Sequence, residues 1–415
     1  MTVANLKSQF ESHFTDNLAD YLGLLKQMVD INSFTANTEG VNELAQVTAD
    51  IFTPLGFEAE LIQSTHPNVG KHVVLTKQGR GKHKIGLVSH LDTVFPPEEE
   101  IRNSFSWRED GDKIYGPGTV DIKGGTVMIY MILDVLKTHQ PELYDETTWV
   151  ILINAAEETG GADFGPLCIE RLQGDNTLGC LIFEGGSRHN DAFKVVVTRK
   201  GMATYTVTVD GRAAHAGTSH PDGANAIVQL GHTVQAIGEM TDYDRQLTYN
   251  VGTISGGTVT NRVPHQAQAR IEMRTFETDI FEDGIKQMLA LNGQSQVSSP
   301  NDGFPCKVTV EVTRQTQPWS RNERTDRLFN IWKEAGAEIG YTVVPEFRGG
   351  LSDGNHFWHA LPTTDGLGPS GRNAHCSEQS EDGTKEQEYV SVSSFVPKAI
   401  LNTFAIMKLI EKGTA

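Results

Sequence analysis

Thr148-Trp-Val-Ile-Leu-Ile-Asn-Ala-Ala-Glu157-Glu158-Thr-Gly-Gly161 is a nearly continuous apolar run that ends in two adjacent acids and two glycines. A run of this kind without helical periodicity is typical of a strand buried on both faces of a parallel sheet. Neighbouring carboxylates repel each other at a buried strand end unless a cation is close. The pair therefore predicts one metal ligand and one general base, although glutamate pairs also occur as solvated surface residues.

Similar apolar runs lie on either side of this stretch along the chain. Residues 72–76, 84–90 and 179–184 are predicted to be strands, and the apolar pattern over 124–137 predicts a helix before the strand at 148–155. Strands that alternate with helices are typical of an α/β fold. We therefore expect a mostly parallel sheet that is flanked by helices on both faces.

The pattern changes near residue 198, where strands with alternating polarity begin. The stretches 204–210 and 267–274 alternate with period two, which predicts a separate α+β domain at 199–314. The larger catalytic domain would then consist of two parts, 1–198 and 315–415. Further helical patterns cover 4–54 (two helices that break at Asn32-Ser-Phe), 222–239, 325–340 and 389–412.

Composition argues against several classes of partner. The formal net charge of −18 and the lack of a Lys/Arg-rich run argue against nucleic acid and anionic membranes. The four cysteines are widely spaced without a CxxC pair, which predicts neither a disulfide framework nor a thiolate metal site. No stretch approaches the roughly 18 apolar residues of a membrane helix, and the start does not resemble a signal peptide. We expect a cytoplasmic protein that acts on a small substrate.

Several acidic and imidazole residues stand where an apolar run ends or a glycine-rich turn begins. In open α/β sheets, ligands bind at the carboxyl ends of the strands. Imidazole and carboxylate groups bind divalent cations, so the pattern predicts a hydrolase that activates water at a metal. The candidate residues are His90, Asp121, Glu157, Glu158, Glu184 and His375.

These candidates also have purely structural explanations. His90 and Asp92 could form a hydrogen-bonded pair that caps a loop, since side chains two apart on a strand share a face. Asp121 could be an ordinary residue at a helix start. The two histidines in the stretch 356–359 compete with His375 for a ligand role, although they could equally be packed among the aromatic residues beside them.

Four motifs together resemble a known family, the dinuclear zinc hydrolases of the aminoacylase, acetylornithine deacetylase/succinyl-diaminopimelate desuccinylase and glutamate carboxypeptidase type. The resemblance covers nearly the whole chain and implies a zinc-exopeptidase-like catalytic domain with an inserted lid or dimerisation domain. It also implies two zinc ions per subunit, with cobalt or manganese as possible substitutes. The motifs are Ser89-His-Leu-Asp-Thr93, Gly116-Pro-Gly-Thr-Val-Asp-Ile-Lys-Gly-Gly125, Glu157-Glu-Thr-Gly160 and Gly211-Arg-Ala-Ala-His-Ala-Gly217.

The resemblance implies a role for each candidate of the catalytic domain. His90 and Glu184 would hold one ion, Glu158 and His375 the other, and Asp121 would bridge both. It further implies that Glu157 is the general base, and that Asp92 orients His90 from behind.

In the inserted domain, the resemblance implies that His215 reaches the site of a partner subunit in a homodimer and stabilises the developing oxyanion, assisted by Asn261. Arg274 is similar to the arginine that binds the free carboxylate of the substrate, a task that suits the guanidinium fork. Gly350, in Gly349-Gly-Leu-Ser-Asp-Gly354, resembles part of a loop that lines the substrate pocket.

The expected reaction is hydrolysis of an amide or peptide bond next to a free carboxylate, in a small peptide or an N-acyl amino acid. Glutamate carboxypeptidase activity is the first choice and N-acyl-amino-acid deacylation, of the acetylornithine deacetylase or aminoacylase type, is the alternative. Arg274 cannot separate the two, and the long acidic stretch 376–388 departs from the glutamate carboxypeptidase branch. A non-catalytic binding homologue is a further alternative. A dinuclear phosphoesterase is disfavoured because no Arg/Lys cluster accompanies the motifs.

Overall fold

The computed structural model describes residues 2–189 and 192–414, and these form two compact units. The first unit comprises the chain up to Val197, then Arg321–Phe347 and everything from Ser352 onwards. The second comprises Thr198–Ser320 and the short segment Arg348–Leu351.

The helices and strands of the described residues follow in chain order. The helices are α1 (Val3–Asp16), α2 (Leu18–Val29), α3 (Thr38–Phe52), α4 (Pro97–Arg102), α5 (Gly124–His139), α6 (Pro141–Glu146), α7 (Phe164–Leu172), α8 (Ala226–Glu239), α9 (Thr278–Leu289), α10 (Glu323–Glu338), α11 (Gly354–Phe357) and α12 (Phe395–Thr414). The strands are β1 (Glu58–Gln63), β2 (Lys71–Lys77), β3 (Lys84–His90), β4 (Arg108–Asp110), β5 (Lys113–Tyr115), β6 (Thr148–Asn154), β7 (Thr177–Ile182), β8 (Ser187–His189), β9 (Ala192–Arg199), β10 (Gly201–Asp210), β11 (Thr248–Gly256), β12 (Gln266–Thr275), β13 (Lys307–Thr316), β14 (Thr342–Arg348), β15 (Thr363–Thr364), β16 (Gly371–Arg372) and β17 (Tyr389–Ser391).

The main sheet of the first unit has the order β1-β2-β6-β3-β7-β15. The strands β6, β3, β7 and β15 run parallel to one another, whereas β1 and β2 add an antiparallel edge. Every residue of β6 is buried, as the continuous apolar run requires. The prediction of a mostly parallel α/β sheet is confirmed, and the carboxyl ends of β3, β6 and β7 meet at one edge.

Helix α5 packs very closely against this sheet. Nearly all its residues up to Leu136 are buried, which explains why its sequence is apolar on almost every face. A Cβ atom at Gly125 would lie 2.0 Å from the backbone oxygen of Phe183, just beyond β7. Only glycine permits this approach, which brings the turn before α5 to the same edge of the sheet.

The second unit is built on an antiparallel sheet with the order β11-β12-β10-β13. Along β12 buried residues alternate with more exposed ones, and the buried set packs with residues of α8 and α9. The expected boundary at residue 314 falls inside β13. Since that strand pairs with β10 up to Thr316, the unit continues to Ser320.

Two predicted helical stretches are divided differently in the structure. Residues 4–54 form three helices instead of two, because the chain also breaks at Asn17, whose side-chain amide donates to the carbonyl of His13 at 2.7 Å. The expected helix at 389–412 begins only at Phe395. Residues 389–391 form β17 instead, because their backbone pairs with the distant β5. This tertiary pairing outweighs the helical pattern of the local sequence.

Within the described residues, no helix is both long enough and apolar enough to cross a membrane.

Candidate metal centre

The edge of the main sheet carries the predicted ligands. His90 is the last residue of β3, Glu158 follows β6, and Glu184 follows β7. Asp121 lies in the irregular turn before α5, where its peptide bond to the next residue is cis. His375 follows β16 in a left-handed conformation, with φ of 66°.

Asp121 connects two groups of side chains. Its Oδ1 lies 3.2 Å from His90 Nε2, which is 3.8 Å from Glu184 Oε1. Its Oδ2 lies 3.3 Å from His375 Nε2, which is 3.1 Å from Glu158 Oε2. Within each group the potential ligand atoms are all within 4.8 Å of one another. The structure thus brings the five predicted ligands together around one shared carboxylate.

These separations fit a pair of divalent cations. Two nitrogen or oxygen ligands at tetrahedral positions on one zinc ion are about 3.3 Å apart, since each bond is about 2.0–2.1 Å long. Imidazole and carboxylate groups are also ligands that such ions prefer. One group would hold an ion with His90 and Glu184, the other with Glu158 and His375, and Asp121 would serve both.

The two histidines differ in their surroundings. The His90 side chain is buried, at 1% exposure, whereas that of His375 is 53% exposed. Hydrogen bonds to Asp121 and Glu158 raise the pKa of His375 to about 11. Burial alone would lower the pKa of His90, but hydrogen bonds with Asp121 and Asp92 raise it well above its usual value.

The acidic residues respond to the same surroundings. Loss of hydration raises the pKa of Glu157 well above its usual value, and it also raises the pKa of Glu158. Burial would raise the pKa of Asp121 as well, but the bonds from His375 and His90 lower it. Without cations the centre therefore retains protons on its imidazoles. Metal binding would release these protons, so metal affinity should increase with pH.

Buried side chains hold the acidic turn after β6 by its backbone. The four consecutive N–H groups of residues 155–158 each donate to such a side chain. His72 Nδ1 accepts the first at 3.1 Å and Asn154 Oδ1 the second at 3.0 Å. The two carboxylate oxygens of Asp92 accept the last two at 2.9 and 3.2 Å. The turn is therefore fixed without using the carboxylates of its own two glutamates.

Asp92 makes more contacts than the expected one with His90. His90 Nδ1 lies 2.9 Å from the backbone oxygen of Asp92 and 3.4 Å from its carboxylate. The carboxylate mainly accepts hydrogen bonds, from the N–H groups of Glu157 and Glu158 and from the Thr35 hydroxyl at 2.7 Å. Asp92 thus joins the end of β3 to the turn after β6.

Sequence reasoning missed other residues behind the centre. Asp353 is buried, and its Oδ1 accepts a hydrogen bond from Asn154 Nδ2 at 2.6 Å. Its only sequence signal is its place in the glycine-rich loop 349–354. Among the described residues, the histidines at 356 and 359 belong to neither group of potential ligands.

The remaining candidates lie in the second unit. His215 Nδ1 accepts the N–H groups of residues 217 and 218 at 3.1 and 3.2 Å, and the Asn261 carbonyl accepts the N–H of residue 216 at 2.9 Å. Arg274 Nε donates to Glu272 Oε1 at 2.6 Å, and the Gly350 carbonyl accepts from Arg199 at 3.1 Å. Their predicted roles toward a substrate stay predictions.

A shared carboxylate between two imidazole–carboxylate groups, at the carboxyl edge of a mostly parallel sheet, is the arrangement of a metal-dependent hydrolase. The profile of Peptidase family M20/M25/M40 matches residues 86–400, and the chain belongs to this family. The resemblance seen in the motifs is confirmed, and the protein is a metal-dependent peptidase or amidohydrolase.

Individual relatives span several named activities. Carboxypeptidase G2 of a Pseudomonas species is 27% identical over 400 residues, which cover 95% of this chain and 90% of the relative. Acetylornithine deacetylase of Photorhabdus laumondii is 28% identical over 329 residues, covering 72% of this chain and 78% of the relative. The structure of aminopeptidase PepT from Bacillus cereus aligns with a TM-score of 0.76 at 22% identity, covering 95% of this chain and 99% of that one. The three names denote three different activities.

Asp353 should give the metal-free protein an unusual pH dependence. Burial raises its pKa to about 7, so the folded protein keeps a proton that the unfolded chain releases above about pH 4. Its contribution to stability therefore falls as pH rises from about 4 through 7. Relative to wild type, Asp353→Asn should gain at least about 1 kcal/mol in free energy of unfolding between pH 5 and pH 8. Urea unfolding with a chelator present measures this difference.

Asp145→Asn is the control for this measurement. The hydrogen bond from Lys77 lowers the pKa of Asp145, so this exposed carboxylate stays charged throughout the range. Its effect on stability should therefore be constant between pH 5 and pH 8. If Asp353→Asn follows the wild-type pH dependence throughout, Asp353 is not protonated in the folded protein.

Proposed function

We propose that this protein is a glutamate-carboxypeptidase-like metallopeptidase that uses two zinc ions to cleave an amide or peptide bond next to a free carboxylate. The observation that carries the proposal is the shared position of Asp121, whose two oxygens face His90 and His375 at 3.2 and 3.3 Å. A carboxylate between two imidazole–carboxylate groups suits a pair of ions better than a single ion.

Glu157 is the proposed general base. Divalent ions at the centre would lower the pKa of a water molecule and polarise the substrate carbonyl. Glu157 is half-buried, belongs to neither group of potential ligands, and has its backbone fixed by Asp92. Its raised pKa suits a group that takes a proton from water and returns it to the leaving nitrogen.

His215 is proposed to donate a hydrogen bond to the developing oxyanion. Because its Nδ1 accepts two backbone N–H groups, the neutral ring carries its proton on Nε2. That N–H is a suitable donor for a negatively charged oxygen, and donors of this kind often account for a large part of catalysis. Asn261, whose backbone holds the segment after His215, is proposed to assist with its side-chain amide.

Arg274 is proposed to bind the free carboxylate of the substrate. Its guanidinium already binds the carboxylate of Glu272 and donates to the backbone oxygen of Gly349 at 2.8 Å. A substrate carboxylate would therefore have to compete with Glu272 for the guanidinium. The neighbouring loop residue Gly350 is proposed to line the substrate pocket.

The carboxypeptidase assignment is supported by the extent of the likeness to carboxypeptidase G2, which covers 95% of the chain, against 72% for the acetylornithine deacetylase. N-acyl-amino-acid deacylation is the second candidate, since the latter relative is equally similar where it aligns. Both reactions place a carboxylate beside the bond that is cut, so Arg274 would serve either.

A homodimer through the second unit is also proposed. Strand β11 is at the edge of its sheet, and most of its second half is exposed. Ile254 is 59% exposed there, and Ile227 and Val228 at the start of α8 are 42% and 47% exposed. An unpaired edge strand beside exposed apolar side chains is a surface suited to pairing with a second copy.

Cytoplasmic residence is proposed from the state of the cysteines. All four are free thiols in the structure, and three of them are buried. Free thiols of this kind suit a reducing compartment.

The substrate class can be tested with purified protein loaded with zinc. We expect peptides with a C-terminal glutamate to be cleaved with higher kcat/KM than N-acetyl amino acids. Arg274→Gln should lower kcat/KM by roughly 10- to 100-fold for substrates with a free carboxylate, because a charged hydrogen-bonded pair is lost. The matched substrates with an amidated C-terminus should lose no more than about threefold.

An equal loss for the amidated substrates would show that Arg274 does not read the carboxylate. A clear preference for N-acetyl amino acids would replace the carboxypeptidase assignment with deacylation. No amide hydrolysis by protein that binds two ions would favour the non-catalytic homologue.

Glu157→Gln should separate proton transfer from metal binding. Removing a positioned base typically lowers turnover by about 10²–10⁴-fold, while both ions should remain bound because Glu157 is not a proposed ligand. Glu158→Gln, at the adjacent position, is the control and should lose affinity for an ion. Elemental analysis gives the ion count and an amide-hydrolysis assay gives kcat. Turnover near the wild-type rate in Glu157→Gln would refute the assignment.

The dimer can be tested by introducing a charge at the edge strand. Ile254→Asp should convert the protein to a monomer at micromolar concentration, because a carboxylate would be buried without a partner in the interface. Tyr243→Asp, at a residue that is 76% exposed between α8 and β11, should leave the oligomeric state unchanged. Sedimentation equilibrium measures both variants. A wild-type protein that is monomeric under these conditions would contradict the proposal.

A further inference from the structure

Glu388 is a fully buried carboxylate at the end of the acidic stretch that follows His375, directly before β17. Its Oε1 accepts the backbone N–H of Val120 at 2.9 Å and that of Asp121 at 3.1 Å. Its own N–H donates to the carbonyl of Cys376 at 2.8 Å, next to His375. One residue thus contacts the segments that carry two of the proposed ligands.

We propose that Glu388 is a positioning residue of the metal centre, which holds the turn of Asp121 and the loop of His375 in the arrangement that two ions require. The inference rests on the proposed function, since it concerns the same centre. It assigns a role to a residue that touches no substrate and is not itself a ligand.

The turn before α5 needs such a partner because its backbone is irregular. Asp121 and Ile122 have φ/ψ of −125°/83° and −138°/32°, which are not helical values. The N–H groups entering the turn must find acceptors, since an unpaired buried N–H costs free energy. Glu388 Oε1 supplies the acceptor for the N–H groups at 120 and 121.

A buried carboxylate is an unusual acceptor for backbone N–H groups. Its second oxygen indicates whether the charge or only the position of one acceptor atom is needed. Among the residues that the structure describes, Oε2 of Glu388 has no hydrogen-bond partner. Lys123, buried in the same turn, attracts the carboxylate electrostatically. The contacts to the turn are therefore made by one acceptor oxygen at a defined reach from the backbone, which glutamine also provides.

Glu386, two residues earlier, provides a contrast within the same stretch. It binds the side chains of Lys113 at 2.5 Å, Tyr115 at 2.8 Å and Asn373 at 3.2 Å. It is also 37% exposed. Since these partners are side chains outside the two groups of ligands, Glu386 is a matched control for shortening a glutamate in this segment.

The experiment compares Glu388→Gln, Glu388→Asp and Glu386→Asp with wild type, in full-length protein stripped of metal. Zinc binding is measured by calorimetry with ion counting, and the geometry of the centre by the visible absorption of the Co²⁺-loaded protein. Glu388→Asp keeps the carboxyl group but is one methylene short of the two N–H groups. It should bind the pair of ions about 10- to 100-fold more weakly and change the Co²⁺ spectrum.

Glu388→Gln keeps the reach and should bind both ions within about threefold of wild type, as should Glu386→Asp. The proposal is overturned if Glu388→Asp retains wild-type affinities and spectrum. It is also overturned if folded Glu388→Gln loses as much affinity as Glu388→Asp, because the reach of one acceptor oxygen would then not be sufficient. Should Glu388→Asp fail to fold, Glu388→Gln still tests the proposal, which a loss of affinity in that variant would overturn. If wild type itself binds no pair of ions, the proposed function fails independently of Glu388.

Discussion

The structure depends on holding several acidic side chains close together at one edge of a sheet. Asp92 does this for the turn after β6 by accepting the N–H groups of Glu157 and Glu158. Peptide N–H groups bring partial positive charge to the site, whereas a lysine or arginine would bring a full charge that competes with a metal ion. The side chains of both glutamates therefore stay available for chemistry while their backbone is fixed.

Sheet topology determines which groups can meet at that edge. Because β3, β6 and β7 run parallel, three chain segments far apart in sequence end beside one another. Gly125 allows α5 to approach the backbone beyond β7, and that approach brings Asp121 between the strand ends. The parallel strands and α5 thus bring the turns to one edge of the sheet, and the turns carry the acidic and imidazole side chains.

The sequence predicts the strand-end residues well because their signal is local. An apolar run that stops at His90, Glu158 or Glu184 specifies both a strand and the edge where it ends. The meeting of Asp121 with His375 has no such signal, and the family resemblance alone suggested it. Hydrogen bonds to the backbone of a distant residue also leave no pattern in the sequence. For that reason the contacts of His72, Asn154, Asp353 and Glu388 emerged only from the structure, as did the pairing of β17 that shortens the last helix.

The unequal exposure of the two histidines makes the two halves of the centre chemically distinct. An ion beside His90 would be enclosed by the sheet, whereas one beside His375 would face solvent through a side chain that is half exposed. Chelators and competing metals would reach the second position first. The proposed pair would therefore consist of one resident ion and one exchangeable ion, and the metal supply of the surroundings would then govern how much of the protein is active at any moment.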